Sequence, residues 1–64
     1  MTEHQRTMTE HQRCIAHFKE MGHEAHEYRG AVYLYVGDGM EVEISTDEVS
    51  FRASVWADKQ THTL

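Results

Sequence analysis

Three runs in the second half of the chain alternate apolar and polar residues with a period of two. They cover residues 32–36, 40–45 and 49–56. Because successive side chains of a strand point to opposite faces of a sheet, this alternation predicts three β-strands. In that sheet one face would be aliphatic and pack on a core, and the other would carry aromatic and charged side chains.

A helix is predicted before these strands, from about Thr9 to Met21. Residues 9–12 read Thr-Glu-His-Gln, a capping-box pattern in which the threonine and glutamine side chains bond to the backbone amides of the first turn. Gly22 is placed to end the helix in a left-handed conformation. The apolar residues that recur at helical spacing are Cys14, Ile15, Phe18 and Met21. This apolar side of the helix is expected to cover the aliphatic face of the sheet.

These elements predict an α+β fold, with one N-terminal helix packed on a three-stranded antiparallel β-meander. The meander becomes four-stranded if residues 23–29 add an edge strand. Residues 37–39, Gly-Asp-Gly, read as a tight hairpin loop. The alternative is a β-hairpin with a second helix at about 46–57, because Ser45 and Glu48 have capping-box spacing. The strand is preferred there, because it places the apolar residues of 49–55 on one face and they have high β-propensity.

The chain of 64 residues is long enough for one small domain. We expect that domain to span residues 9–57, between a flexible extension at 1–8 and a flexible tail at 58–64. The extension contains the first copy of a repeated hexapeptide, MTEHQR, at residues 1–6 and 8–13. Domains of this size are thinly stable and usually need a disulfide, a metal or a partner subunit. Since Cys14 is the single cysteine, no disulfide can form within the chain, and a homodimer is the expected source of additional stability.

Composition disfavours two classes of partner. The formal net charge is −5 and the six Lys and Arg residues form no run, whereas proteins that bind nucleic acid concentrate positive charge. No apolar run approaches the roughly 20 residues that span a bilayer, so no membrane association is expected. The polar N-terminus and the lone thiol are typical of a cytoplasmic protein, in the host cell if a phage encodes the chain.

Six histidines raise the possibility of a metal site. Its ligands would come from the pairs Cys14-x2-His17 and His23-x2-His26, which could form a tetrahedral zinc site. The competing interpretation is that the histidines are solvated and that Cys14 packs in the core, and it is preferred. No cofactor is therefore expected. The chain is also expected not to be an enzyme, because the sequence contains no phosphate loop, no Ser-His-Asp set and no paired acids.

The predicted outer face of the sheet is the main candidate for function. Tyrosine, tryptophan and arginine are frequent anchors of protein interfaces, and nearby carboxylates would favour a partner with a basic surface. The candidate partner-binding residues are Tyr33, Tyr35, Glu41, Glu43, Arg52 and Trp56. By analogy of size and charge, such a chain is expected to be an inhibitor or adaptor of the phage or mobile-element type, including those that act against host defence.

A second hypothesis is an oligomeric sponge that sequesters a nucleotide-like small molecule between subunits. Its aromatic rings would stack on a base and its arginines would contact a phosphate. The candidate ligand-binding residues are Arg29, Tyr33, Tyr35, Arg52 and Trp56. The acidic balance of the chain disfavours an anionic ligand, so this hypothesis ranks second.

Overall fold

A computed structural model describes residues 8–62, with the last two given by their backbone alone. The elements are helix α1 (Glu10–Glu20), strands β1 (Ala25–Tyr28), β2 (Ala31–Gly37) and β3 (Met40–Ile44), and helix α2 (Thr46–His62). The three strands form one antiparallel sheet in the order β1-β2-β3, which confirms the predicted α+β class. Of the predicted extension only residue 8 is described; residues 1–7 and 63–64 lie outside the described residues.

Helix α1 begins and ends where the sequence predicts. The amide of Gln12 donates to Thr9 Oγ1 at 3.1 Å, and the amide of Thr9 donates to Gln12 Oε1 at 2.9 Å, so the capping box is formed. Gly22 follows the helix with a φ of +89°, a conformation that glycine adopts without a steric cost. Cys14 and Phe18, four residues apart, are buried on the same side of the helix.

Two-residue turns connect the strands. The central residues are Arg29 and Gly30 between β1 and β2, and Asp38 and Gly39 between β2 and β3. All four have positive φ, as in the type I′ turn, whose twist matches that of the flanking strands. The segment 23–29, left open by the sequence, therefore contributes an edge strand, β1. The three strands of the meander are β1, β2 and β3.

The predicted strand at residues 49–56 is wrong, and the alternative of a second helix is correct. Ser45 caps this helix: its Oγ accepts from the amide of Glu48 at 3.2 Å. Val49 and Ala53, one helical turn apart, are buried, whereas Phe51 is 59% exposed. The two buried residues thus have helical spacing, and the alternation at 49–55 did not reflect one common buried face.

Helix α2 is also longer than predicted. It continues from Thr46 through His62, so residues 58–62 belong to a helix instead of the expected tail. Among the described residues, neither helix combines the length and the apolar character that crossing a bilayer requires.

The core lies between the helices and one face of the sheet. Helix α1 contacts β1, β2 and helix α2. The buried residues that pack together are Cys14, Phe18, Ala25, Val32 and Val49, with Ile15, Leu34 and Ile44 half-buried around them. Both helices therefore contribute residues to this core, and the other face of the sheet is not part of it.

Gly39 offers a test of the second turn. Its φ is +75°, and a Cβ at this position would meet no atom within 4 Å, so a substitution there strains only the backbone. We expect Gly39→Val to lower the free energy of unfolding by about 1–3 kcal/mol, because a β-branched residue is a strong outlier at positive φ. Urea unfolding measures the change. Gly39→Asn is the control, since asparagine tolerates this region; equal losses in both variants would contradict the turn assignment.

Candidate binding face of the sheet

The face of the sheet opposite the core is built from alternate residues of all three strands. Strand register places Tyr33 between His26 on β1 and Glu43 on β3, and pairs Tyr35 with Glu41. We call this surface the outer face. Its members are His26, Tyr28, Tyr33, Tyr35, Glu41 and Glu43. Ala25 and Val32, which alternate with these residues along β1 and β2, are buried on the inner face, as the pleat of a sheet requires.

Aromatic rings form a cluster on this face. The rings of His26 and Tyr33 are stacked, with centroids 6.0 Å apart and an interplanar angle of 26°. Tyr28 meets Tyr33 edge to face, with centroids 6.3 Å apart. Together with Glu41, these three side chains line an open groove of about 420 Å³, which we call the aromatic groove. The groove combines flat ring surfaces with one carboxylate.

The charges of the outer face are mostly negative. Glu41 and Glu43 project from β3, and Glu41 Oε2 lies 3.5 Å from His26 Nδ1. Arg29, in the first turn, places its guanidinium 5.4 Å from the centroid of the Tyr28 ring. The face therefore has carboxylates on its β3 side and a single arginine beside Tyr28.

Two of its tyrosines are well exposed. Tyr28 is 55% exposed and Tyr35 is 44% exposed, while the central Tyr33 is half-buried between its neighbours. The Tyr35 hydroxyl accepts a hydrogen bond of 3.4 Å from the amide of Gly39 in the turn, which restrains the side chain. Aromatic side chains that are held in place but still exposed are typical of binding surfaces.

Arg52 and Trp56 do not share this face, contrary to the sequence prediction. Both lie on α2, because residues 46–62 are helical. The guanidinium of Arg52 lies 5.0 Å from the centroid of the Phe18 ring, and its Nε donates to Glu48 at 2.7 Å. Trp56 Nε1 donates to Glu20 Oε2 at 3.0 Å. These two side chains therefore connect α2 to α1 and stabilise the helix pair.

Glu20 joins the helix pair through a second contact as well. Its other carboxylate oxygen accepts from Lys59 Nζ at 3.0 Å. The hydrogen bond from Lys59 lowers the pKa of Glu20, and the bond from Trp56 acts in the same direction. Lys59 and Trp56 thus hold the C-terminal end of α1 against α2.

The candidate set for a nucleotide-like ligand is divided in the same way. Tyr33 and Tyr35 lie on the outer face and Arg29 lies beside it, but Arg52 and Trp56 belong to the helix pair. Within one chain, the two arginines and the tryptophan therefore do not surround a common pocket with the tyrosines.

The four predicted zinc ligands are also separated. Cys14 is fully buried in the core, and His26 lies on the outer face. His17 is buried beside the Phe18 ring, which His23 approaches from the exposed side. In the part of the chain that the structure describes, no three His, Cys, Asp or Glu side chains are arranged to bind a metal ion.

Burial also determines the chemistry of the thiol. Removal from water raises the pKa of Cys14, and the nearby carboxylate of Glu48 acts in the same direction, while Arg52 opposes it. A raised pKa disfavours the thiolate, which is the nucleophilic form. Cys14 therefore packs as a small apolar residue of the core.

Two members of the outer face were not predicted from the sequence, His26 and Tyr28. The signal was present but short. Residues 25–28 read Ala-His-Glu-Tyr, with His26 and Tyr28 two positions apart, and Arg29-Gly30 stands at hairpin spacing before β2. Reading this segment as a strand would have added both side chains to the face that carries Tyr33.

Comparison with known proteins identifies no relative. No family model matches the chain, and neither the search of curated proteins nor the search of solved structures returned a match. The arrangement of the outer face is therefore the basis for assigning a function.

Proposed function

We propose that the protein is a small non-enzymatic binding protein, an inhibitor or adaptor, whose outer face docks on a basic surface of a partner protein. The observation that carries the proposal is the composition of that face. All three tyrosines of the chain lie on it, together with Glu41 and Glu43, while both helices contribute to the core on the other side.

Tyrosines suit such a surface for a physical reason. Each ring buries a large apolar area on binding but has few rotatable bonds, so little conformational entropy is lost when it is fixed. Tyr33 is already held between His26 and Tyr28, which lowers that cost further. A partner would therefore meet a preorganised aromatic surface instead of one that has to be ordered on binding.

Charge favours a foreign basic partner over a second copy on this surface. Two outer faces placed together would bring four carboxylates into one interface of a chain whose net charge is already −5. Pairing β3 with itself about Val42 would set Glu41 opposite Glu43 of the other copy, and like charges directly across a ladder are destabilising. These residues protect the edge of the sheet against self-pairing.

The expected homodimer would then use a different surface. Met40 and Val42 project from the inner face of β3 and remain 62% and 43% exposed, which is high for large apolar side chains. A dimer formed there would leave the outer face free for the partner. Sedimentation of the purified protein measures its oligomeric state separately from partner binding.

A photo-crosslinking experiment tests the proposal. A photoreactive amino acid in place of Tyr35 is expected to crosslink one host protein in low-salt cell extract, at a basic surface of that protein. The same amino acid in place of Phe51, which is exposed on α2, is the control and is expected not to give that product. Crosslinking of the partner from position 51 alone, or only of a second copy from position 35, would overturn the proposal.

Neutral variants test the charge of the face on the partner so identified. We expect E41Q/E43Q to weaken its binding about tenfold, because each exposed ion pair contributes up to about 1 kcal/mol. E10Q/D47N makes the same change in net charge in the first turns of the two helices and is expected to bind as the unmodified chain does. Affinity should also fall as salt is added. Equal losses in both variants would contradict docking through the outer face.

A further inference from the structure

We propose that the aromatic groove binds an arginine side chain of the partner protein. This inference rests on the proposed function and names the chemistry that the outer face recognises. The groove is lined by His26, Tyr28, Tyr33 and Glu41, and it is the part of the outer face where rings and a carboxylate meet.

The rings supply the surfaces on which a cation can lie. Tyr28 and Tyr33 stand at 62° to each other with centroids 6.3 Å apart, so they present two walls of an open notch. The electron-rich face of an aromatic ring attracts a cation within about 6 Å of its centroid. His26 is stacked on Tyr33 and restricts the movement of that ring.

Glu41 supplies the charge. Its carboxylate reaches the groove diagonally across β2, where its partner is His26 at 3.5 Å. This is a long contact between two half-exposed side chains and contributes little free energy. A cation that binds Glu41 therefore loses little by displacing His26 from it. Because a guanidinium can donate two parallel hydrogen bonds to one carboxylate, it would replace this contact with a shorter and stronger pair.

The shape of the groove favours arginine over lysine. A planar guanidinium stacks on an aromatic ring and bonds to a carboxylate in its own plane at the same time, whereas an ammonium is a compact and strongly hydrated charge. The chain itself contains this type of contact: Arg29 lies over the Tyr28 ring and Arg52 lies over the Phe18 ring. The Tyr28 ring therefore accepts a guanidinium, and an incoming arginine would displace Arg29 from it or pack on the ring surface that Arg29 leaves exposed.

The volume is consistent with one side chain. The groove measures about 420 Å³ and is open to solvent, so it can receive an arginine that projects from a partner surface without enclosing a whole ligand. An arginine at the centre of the interface would be surrounded by Tyr35 and Glu43, which lie on the same face outside the groove. Such a central, partly desolvated arginine is a frequent hot spot.

A peptide titration of the full chain tests the inference. The probes are three blocked peptides, Gly-Arg-Gly, Gly-Lys-Gly and Gly-citrulline-Gly, and the readout is the change in amide and tyrosine-ring chemical shifts. We expect the arginine peptide to bind with a dissociation constant on the order of 1 mM, which corresponds to the affinity of a single well-placed side chain. The shifts should concentrate at residues 26, 28, 33 and 41. The lysine peptide should bind more weakly, and the uncharged citrulline peptide should cause no localised shift.

Variants of the outer face distinguish binding in the aromatic groove from a general attraction to the negative charge of the face. E41Q is expected to weaken binding of the arginine peptide about tenfold, since it removes the carboxylate of a charge-assisted pair. E43Q and Y35F are the matched controls, since they lie on the same face but do not line the groove. Equal binding of the arginine and lysine peptides, or an equal loss in E41Q and E43Q, would overturn the inference.

The outcomes distinguish this inference from the proposed function. If the crosslink from position 35 identifies a partner but the arginine peptide causes no localised shift, the arginine groove is rejected and docking stands. If the peptide binds at the groove but no partner is crosslinked from the outer face, the docking function fails and only the affinity for arginine remains.

Discussion

Replacing Phe18 by alanine is expected to unfold a large fraction of the protein. Phe18 is only 4% exposed, its ring meets His17 and His23 at their edges, and the Arg52 guanidinium covers it at 5.0 Å. Removing a buried Phe side chain costs about 3–5 kcal/mol. A chain of this length has a free energy of unfolding of about 3–10 kcal/mol, so the loss is a large part of its total stability. Urea unfolding followed by circular dichroism measures it.

Phe51 provides the matched control for this change. It is also a phenylalanine in a helix, but it is 59% exposed. Phe51→Ala makes the same chemical change on the surface and is expected to alter the free energy of unfolding by less than about 1 kcal/mol. Similar unfolding midpoints for the two variants would contradict the position of Phe18 in the core.

Acid is expected to destabilise the fold through His17. The side chain is 7% exposed, and its Nδ1 atom is buried without a hydrogen-bond partner among the described residues. Burial lowers the pKa of His17 below its usual 6.5, and the positive charges of Arg52 and Lys59 lower it further. As the pH falls below about 6.5, the unfolded chain therefore takes up this proton before the folded one does.

The sign of the effect follows from that difference. Protonation of the unfolded state stabilises it, so the stability held above pH 6.5 is lost progressively as the pH falls from 6.5 through the lowered pKa of the folded protein. His17→Leu should remove this part of the slope in a plot of unfolding midpoint against pH. His23→Leu, at an exposed position, should retain it. An unchanged slope in His17→Leu would show that another group is responsible.

The start of the first helix and the second hairpin turn were predicted correctly, because short sequence motifs determine them. The capping box at Thr9 and Gln12 fixed the start of α1, and Asp38-Gly39 predicted a hairpin because few residue pairs accept two positive φ angles in succession. Both signals act over a few residues. Their energies depend little on what packs against them, so the sequence alone could show them.

Residues 46–57 could not be assigned with the same security, because two local signals conflicted there. Alternation at Val49, Phe51 and Ala53 indicated a strand, and the cap at Ser45 indicated a helix. The conflict is resolved by packing: Val49 and Ala53 are buried against the rest of the molecule, while Phe51 is left in solvent. Which apolar residues are buried depends on the tertiary structure, which periodicity over seven residues does not contain.

The candidate site was predicted only in part, because some of its residues depended on the same uncertain assignment. Tyr33 and Glu41 were correctly placed on one face, because the alternation of β2 and β3 is unambiguous. Trp56 was placed there wrongly, because its position depended on the assignment of residues 46–57. His26 and Tyr28 were missed because β1 is only four residues long and has the charged Glu27 on the same face as Ala25, so the segment shows no alternation of apolar and polar residues.

The separation of Trp56 from the tyrosines gives the protein two independent optical reporters. The single tryptophan lies at the contact between the helices, bonded to Glu20, whereas every tyrosine lies on the outer face. Tryptophan emission should therefore follow separation of the helix pair on unfolding. Tyrosine absorbance should follow occupation of the sheet. A ligand that changes the tyrosine signal and leaves the tryptophan signal constant has bound without disturbing the fold, and one unlabelled sample can distinguish binding from denaturation.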